Sequence, residues 1–340
     1  MTEPILPTPP TSTDAHALAE RAGRYQREHA RSLRALAYRM LGSVAEAEDI
    51  VQEAWLRWSE QDESEVRHAG AFLSRLVTHL CLDRLGSATA RRERYVGVWL
   101  PEPWLDDEAF GERAPDPQSQ AEFAQDVSVA FMLALERLSP LERAAFLLHE
   151  VFDLDFDEIG EHLDRSPAAC RQLSSRARRR VRDEAPRREV TQADGHRLWL
   201  AFSQAVRTRD VDALAQLLSA DALMMSDGGG VVSAVPRPLH GGEVIARTFI
   251  GFARMPTSQG WRLEPAWLHG MPGCLVFDDL AGGRLVQAMV LEPAVGEPGR
   301  IGALYTQRNP EKLRSLLAAL ARPAVSPEVA PVSGAPGSKD

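Results

Sequence analysis

FDEIGEHLDRSPAACRQLSSRARRRVR, residues 156–182, reads as two short helices joined by a tight turn. Asp155-Phe-Asp-Glu158 has the spacing of a capping box and opens the first helix. Ser166-Pro167 opens the second, with proline where an early helical position tolerates it. In that second helix Cys170, Leu173, Ala177 and Val181 share the inward face. Cys170 is therefore read as a small core residue. Ala168, Arg171, Gln172, Ser175 and Arg179 share the outward face. Closely spaced starts, a tight turn and an arginine-loaded second helix make a helix-turn-helix, whose second helix enters the major groove by its N-terminal end. Arg171 and Gln172 sit there, and these side-chain types can bond guanine and adenine bidentately. Arg176, Arg178, Arg180 and Arg182 are placed to reach phosphates. The chain as a whole carries a net charge of −9, so a local basic block calls for a polyanionic partner. The plain alternative is a basic surface helix that meets no DNA.

Upstream, residues 121–185 form one helical block, with a further helix start at Ser139-Pro-Leu-Glu142. Residues 15–95 form another. There Ser43-Val-Ala-Glu46 is a capping box, and Ala47, Ile50, Val51, Ala54, Trp55 and Trp58 line one face of the helix that follows. The opposite face carries Glu46, Glu48, Asp49, Gln52 and Glu53. That pattern fits a solvated face or an acidic docking face for a basic partner. Residues 69–85 give a second amphipathic helix, with Phe72, Leu73, Leu76, Val77, Leu80 and Leu85 inward. Arg75, His79 and Arg84 fall outside, followed by Arg91, Arg92 and Arg94. Such arginines can hold a nucleic-acid backbone, or simply complement a helix C-terminus.

The 340 residues leave room for two or three domains, and the 44% apolar fraction is ordinary for a globular protein. No run of 18 apolar residues suggests a membrane span. MTEPILPTPPTSTD at the start lacks the basic and apolar segments of a secretory signal. Cys81, Cys170 and Cys274 are far apart and make neither a CxxC pair nor zinc spacing. These features place the chain in a reducing cytoplasm, with no membrane, metal or cofactor expected. Residues 1–14 and 323–340 read as disordered tails, rich in Pro, Ser, Thr, Ala and Gly. Residues 96–120, with Pro101, Pro103, Pro115, Pro117 and an acidic break at Asp106 and Asp107, read as a linker.

From about residue 194 to 320 the texture changes. Residues 194–218 are helical by pattern. Short strands follow at 222–225, 261–268, 274–277, 285–291 and 301–307, with a helix at 241–253 between the first two. Helices leading into strands suggest an α+β layer. Asp227, His240, His269, Asp278 and Asp279 are the residues a catalytic reading would use, but no metal spacing or nucleophile–base pair joins them. His269, ahead of Gly-Met-Pro-Gly, is expected at a strand end on the surface. Asp227-Gly-Gly-Gly is expected to be a turn, since a phosphate-cradling loop would need the P-loop lysine and serine. Trp199, Trp261 and Trp267 suit a core, and a tryptophan-lined pocket would read the same way.

AEAEDIVQEAWLRW (45–58) resembles the region 2 helix of bacterial sigma factors, and residues 138–181 resemble their region 4. No region 3 lies between, which points to the extracytoplasmic-function (ECF) group. YVGVWLPEPW (95–104), DGGG (227–230) and NPEKL (309–313) resemble, in order, three motifs of ECF sigma factors with a C-terminal SnoaL-like domain. The resemblance implies a multidomain chain. Two all-α sigma domains, 15–95 and 121–185, the second with the helix-turn-helix, are followed by an α+β SnoaL/NTF2-like cone domain over 194–320, a curved sheet around a pocket. It implies that Asp49, Gln52 and Glu53 dock on the clamp of the β′ subunit of core RNA polymerase, with the β flap as a further contact. Arg75, His79, Arg84, Arg91 and Arg92 fall in the part that recognises and opens the −10 element. Ala168, Arg171, Gln172, Ser175, Arg176 and Arg179 fall in the −35 reader. Trp99, Leu100, Pro101, Glu102 and Pro103, with Asp227, Gly228, Gly229, Gly230, Asn309 and Pro310, would be regulatory. Two departures stand out: Val231 where the family usually has lysine after DGGG, and Glu311 where aspartate is common.

The resemblance thus implies a sigma factor that brings core RNA polymerase to promoter DNA, its activity set by the fused domain, which could hold a small-molecule ligand and is not expected to be an enzyme. The competing expectations are a SnoaL-class enzyme with a DNA-binding appendage and a ligand-sensing helix-turn-helix repressor. The acidic region 2 face argues against a repressor, which has no need of it.

Overall fold

The computed structural model describes residues 12–62, 66, 68–92, 95–105, 128–184 and 190–321. Most of both expected tails, linker residues 106–120 and Arg94 lie outside them, as do the side chains of Arg91 and Arg92.

The N-terminal helices are α1 (Ser12–Glu28), α2 (Ala30–Leu41), α3 (Val44–Ser59) and α4 (Ala69–Arg92). The first starts inside the segment expected as a tail. Gly42 ends α2 in the left-handed conformation, and Ser43 then caps α3 by accepting from the Glu46 N–H. The next helices are α5 (Val129–Glu136), α6 (Pro140–Glu150), α7 (Phe156–Leu163) and α8 (Pro167–Glu184). Both capping boxes expected in this second group form: Ser139 with Glu142 on α6, and Asp155 with Glu158 on α7. Asp164 closes α7 at φ 51°, a left-handed position that aspartate tolerates. Gly160 lets the turn pass close: a Cβ there would lie 2.8 Å from the Arg165 carbonyl oxygen.

One hydrophobic core runs through both helical groups. It joins Leu36, Met40, Leu73 and Val77 to Leu135, Phe146, Leu147 and Ile159. Helix α4 packs against α6 and α7. A buried cation ties the groups together. Arg143 of α6 donates to the Met40 carbonyl at 2.6 Å and to Glu136 at 2.9 Å.

The C-terminal part begins with α9 (Gln192–Thr208) and α10 (Val211–Leu217). Then come β1 (Leu218–Asp227), β2 (Leu239–His240), α11 (Gly242–Ala253), β3 (Trp261–Leu268), β4 (Met271–Asp278), β5 (Arg284–Pro293), β6 (Ile301–Gln307) and α12 (Arg314–Leu320). The six-stranded sheet has the order β2-β1-β6-β5-β4-β3, with β1 parallel to β6 and the other pairs antiparallel. Its two faces follow the period of two. Met224, Cys274, Val276, Met289 and Leu304 face a core shared with α9, α10 and α11. Leu275, Ala288, Val290, Ala303 and Tyr305 face the opposite core, with Leu100 of the linker, Val129 of α5 and Leu316 of α12. This is the expected α+β cone. The linker lies against the outside of its sheet.

Candidate nucleic-acid interface and linker clasp

The helix-turn-helix presents its second helix as the sequence predicts. Cys170, Ala177 and Val181 are buried, Leu173 is half-buried, and Ala168, Arg171, Gln172, Ser175, Arg176 and Arg179 are all exposed. Not every arginine of α8 is spare. Arg178 pairs with Glu150, Arg180 with Glu142 at 3.5 Å, and Arg171 lies over the Phe156 ring at 5.0 Å. Burial would raise the Glu142 carboxyl, but its bonds from Ser139 and the charges of Arg180 and Arg176 hold it below its ordinary range.

On α3, Asp49 and Gln52 are exposed, whereas Glu53 is ion-paired with Arg57 at 2.5 Å. On α4, His79 and Arg84 are half-buried. Arg75 is exposed but reaches the turn of the helix-turn-helix, 3.2 Å from Asp164. The two expected DNA readers thus touch each other. His162 of α7 sits at the same seam. Its Nδ1–H donates to the Glu158 carbonyl at 2.8 Å, while its buried Nε2 makes no hydrogen bond among the described residues. Burial lowers its pKa, as do the charges of Arg75 and His79, against the opposing pull of Glu158.

The motif residues of the C-terminal part converge on the linker. Asp227 is fully buried and accepts from five donors: the Tyr95 hydroxyl (2.7 Å), the Leu100 N–H (2.9 Å), the Gly229 N–H (2.9 Å), the Gln307 amide (3.2 Å) and the Lys312 ammonium (2.8 Å). Lys312 also donates to the Leu100 carbonyl at 2.6 Å and lies over the rings of Tyr95 and Trp99. Asn309 donates to the Tyr95 hydroxyl at 2.9 Å. Gly229, at φ 64°, permits this, because a Cβ there would lie 2.4 Å from the Asn309 amide nitrogen. Burial raises the Tyr95 phenol, and the bond to Asp227 adds to it. Leu100, Pro101 and Pro103 are buried, and Trp99 is half-buried. Pro310 is exposed, and so is Val231, so the cation on Asp227 comes from NPEKL rather than from the position after DGGG.

The linker then grips the first helical group. Glu102 accepts from the Ser43 hydroxyl (2.7 Å) and from the N–H groups of Val44 (2.9 Å) and Ala45 (3.2 Å). A carboxylate from the linker thus reaches the start of α3, alongside the Ser43 cap that the sequence predicts. The free N–H groups of that helix N-terminus face the linker and favour a carboxylate there. Burial pushes the Glu102 carboxyl up, against the pull of those bonds and of Lys312. Glu292 of β5 does the same for α5, accepting from the Ala130 N–H at 3.1 Å.

His269 corrects an expectation. It stands at a strand end, at φ 56°, but is buried and not on the surface. The linker covers it: its N–H donates to the Trp104 carbonyl at 2.9 Å, and its Nε2 accepts from the Trp104 N–H at 3.3 Å. Its Nδ1 is 3.4 Å from the Tyr38 hydroxyl, which donates to the Glu102 carbonyl at 2.9 Å. This pattern fixes the tautomer with the proton on Nδ1. The sequence reading quoted Tyr95 and Lys312 within motifs without giving either a role, and it missed Gln307, Tyr38 and Glu292. Lys312 had a signal, since lysine occurs only there and at Lys339. Trp199 and Trp261, expected in a core or a pocket, line a cavity inside the cone.

A helix-turn-helix, an acid-faced helical group and a cone domain bound together by one linker define a multidomain transcription factor. The family described as Sigma-70 region 2 matches residues 26–91, and Sigma-70, region 4 matches residues 128–181. The chain is 38% identical over 290 residues to "ECF RNA polymerase sigma factor SigJ" of Mycobacterium tuberculosis, covering 82% of this chain and 89% of that one. It is 34% identical over 284 residues to "Probable ECF RNA polymerase sigma factor SigI" of the same species, covering 80% and 96%. The crystal structure of Mycobacterium tuberculosis SigJ matches with a TM-score of 0.65 at 31% identity, covering 87% of this chain and 98% of that one. The chain belongs to the ECF RNA polymerase sigma factors. It is a promoter-directing sigma factor, and membership implies binding to core RNA polymerase and promoter DNA.

Proposed function

We propose that this sigma factor acts in the cytoplasm and carries its own regulator, a cone domain that holds the linker and sets how far the two sigma regions can separate. The buried Asp227 clasp on residues 95–100 carries this reading. Asp49, Gln52 and Glu53 dock region 2 on the β′ clamp, and region 4 engages the β flap. Ala168, Arg171, Gln172, Ser175, Arg176 and Arg179 meet the −35 element. Arg75, His79, Arg84, Arg91 and Arg92 meet the −10 element. Elements about 25 base pairs apart lie about 85 Å apart on B-form DNA, at about 3.4 Å per pair. A shared core between the two readers cannot span that distance. Arg75 must also leave Asp164 before it can meet DNA. Opening is therefore a step of the cycle, and the clasp biases it.

Asp227 and His269, which a catalytic reading would use, are spent on the linker side of the sheet, away from the cavity. This supports a regulatory cone over an enzymatic one. Run-off transcription with core polymerase tests the reading, comparing the full-length chain with Asp227→Asn and with a chain ending at residue 190. Changed promoter-dependent output is expected from both variants. Unchanged output with unchanged polymerase affinity would sink it.

A further inference from the structure

The cone holds a cavity of about 900 Å³ that opens to solvent, and no part of the clasp uses it. Small-molecule sites span about 300–1,000 Å³ and combine an apolar lining with a few placed polar groups. Trp199, Met224, Phe249, Trp261, Val276 and Met289 supply ring-rich apolar walls here. The charged lining is of one sign. Arg207, Arg209 and Arg308 border the cavity, and no carboxylate is among the described residues that do.

Arg308 is the arginine set into the wall. It lies over the Trp261 ring at 5.6 Å and donates to the Ser233 carbonyl, yet its buried Nε has no hydrogen-bond partner among the described residues. Partial burial lowers its pKa, and no carboxylate pairs with it among the described residues. Beside it the buried Thr306 has a hydroxyl with no hydrogen bond among the described residues. Unsatisfied donors of this kind in an apolar wall ask for an acceptor, and a carboxylate matches the guanidinium fork.

We propose that the cavity is a binding site for an amphipathic monoanion, a carboxylate on an apolar ring system, with its charge on Arg308 and Thr306 and its rings among the aromatic walls. The site also adjoins the clasp. Ser226 pairs with Thr306 and Asp227 with Gln307 across β1 and β6. Alternation sends Ser226 and Thr306 into the cavity and Asp227 and Gln307 to the linker. The Arg308 N–H donates to the Asp227 carbonyl at 2.7 Å. An occupant that pulls on Arg308 thus acts on the backbone holding the clasp. This coupling rests on the regulatory reading above, whereas the ligand class does not.

Calorimetry on the full-length chain with 2-naphthoate and its neutral counterpart 2-naphthylmethanol tests the site. Naphthoate is expected to bind once per chain and at least tenfold more tightly than the alcohol. Arg308→Gln should erase that preference, and Arg308→Lys should keep part of it. Equal affinity for the two probes, or no binding of either at millimolar concentration, overturns the site, and because it is read on the unaltered chain this outcome does not depend on a variant folding. Hydrogen exchange at residues 95–105 tests the coupling: naphthoate should change it. Binding without any change there would keep the ligand site and overturn the coupling. Failure at either step leaves the clasp itself to the transcription assay.

Discussion

Asp227 is a buried carboxylate whose charge is met by Lys312, with four neutral donors around it. Removing one member of a buried pair strands the other, at a cost of about 3–5 kcal/mol. Lys312→Met should lower the urea midpoint accordingly and speed hydrogen exchange at residues 95–105. The double variant Lys312→Met with Asp227→Asn should lose less than the single one. An unshifted midpoint in Lys312→Met would show that the clasp carries no such energy. His162 gives a pH dependence. Its folded pKa lies below the unfolded value of about 6.5, so the native state excludes a proton that the unfolded chain accepts. Its contribution is full above about pH 6.5 and is lost as pH falls through the folded value. Arg75, His79 and Glu158 face it, and the first two oppose a further charge. Melting curves from about pH 7 to about pH 5 should fall in the parent and flatten in His162→Gln. Equal slopes would assign the dependence to other groups.

At the scale of elements, α8 and α3 present the exposed faces that the proposed −35 and docking roles use. Losing a bidentate base contact costs about 1–3 kcal/mol. Arg171→Ala and Gln172→Ala should therefore relax −35 discrimination by that amount in holoenzyme binding assays. Arg178→Ala, already engaged with Glu150, should leave discrimination intact. Loss of discrimination in Arg178→Ala alone would reverse the assignment. Glu102→Ala removes the carboxylate from the start of α3. It should destabilise the region 2 helices by about 0.5–2 kcal/mol, the range for lost caps, seen as reduced protection in native-state exchange. Element types were legible in the sequence because each carries its own signals. Strands β3 and β6 fall on the predicted residues 261–268 and 301–307, and both capping boxes of the second helical group form. Boundaries slipped where neighbours extended an element. Strand β4 grew from 274–277 to Met271–Asp278 because β3 and β5 pair along it.

At the scale of the molecule, the two sigma regions share one core, and the linker is pinned between region 2 and the cone. Opening should be visible as distance. Labels placed through Glu60→Cys and Arg182→Cys, both exposed sites, avoid the three native cysteines, which are buried. Energy transfer between them should be high in the free chain and fall in the promoter-bound holoenzyme, toward the roughly 85 Å that separates the two elements. High transfer that persists on promoter DNA would contradict the opening step.

Local information in the chain was enough for its modular plan. The arginine-bearing helix-turn-helix, the acid-faced helix, the proline-bearing linker and the α+β block each rest on periodicity, caps and charge within a few turns of sequence. The motif residues of the clasp could be named, but not joined. Asp227 meets Tyr95 and Lys312 across 132 and 85 positions, and Glu102 meets Ser43 across 59. Such partners depend on how packed layers bring distant segments together, and no local pattern encodes that. For the same reason His269 looked like a surface turn residue. Its burial is imposed by the linker, which only the folded chain lays over it.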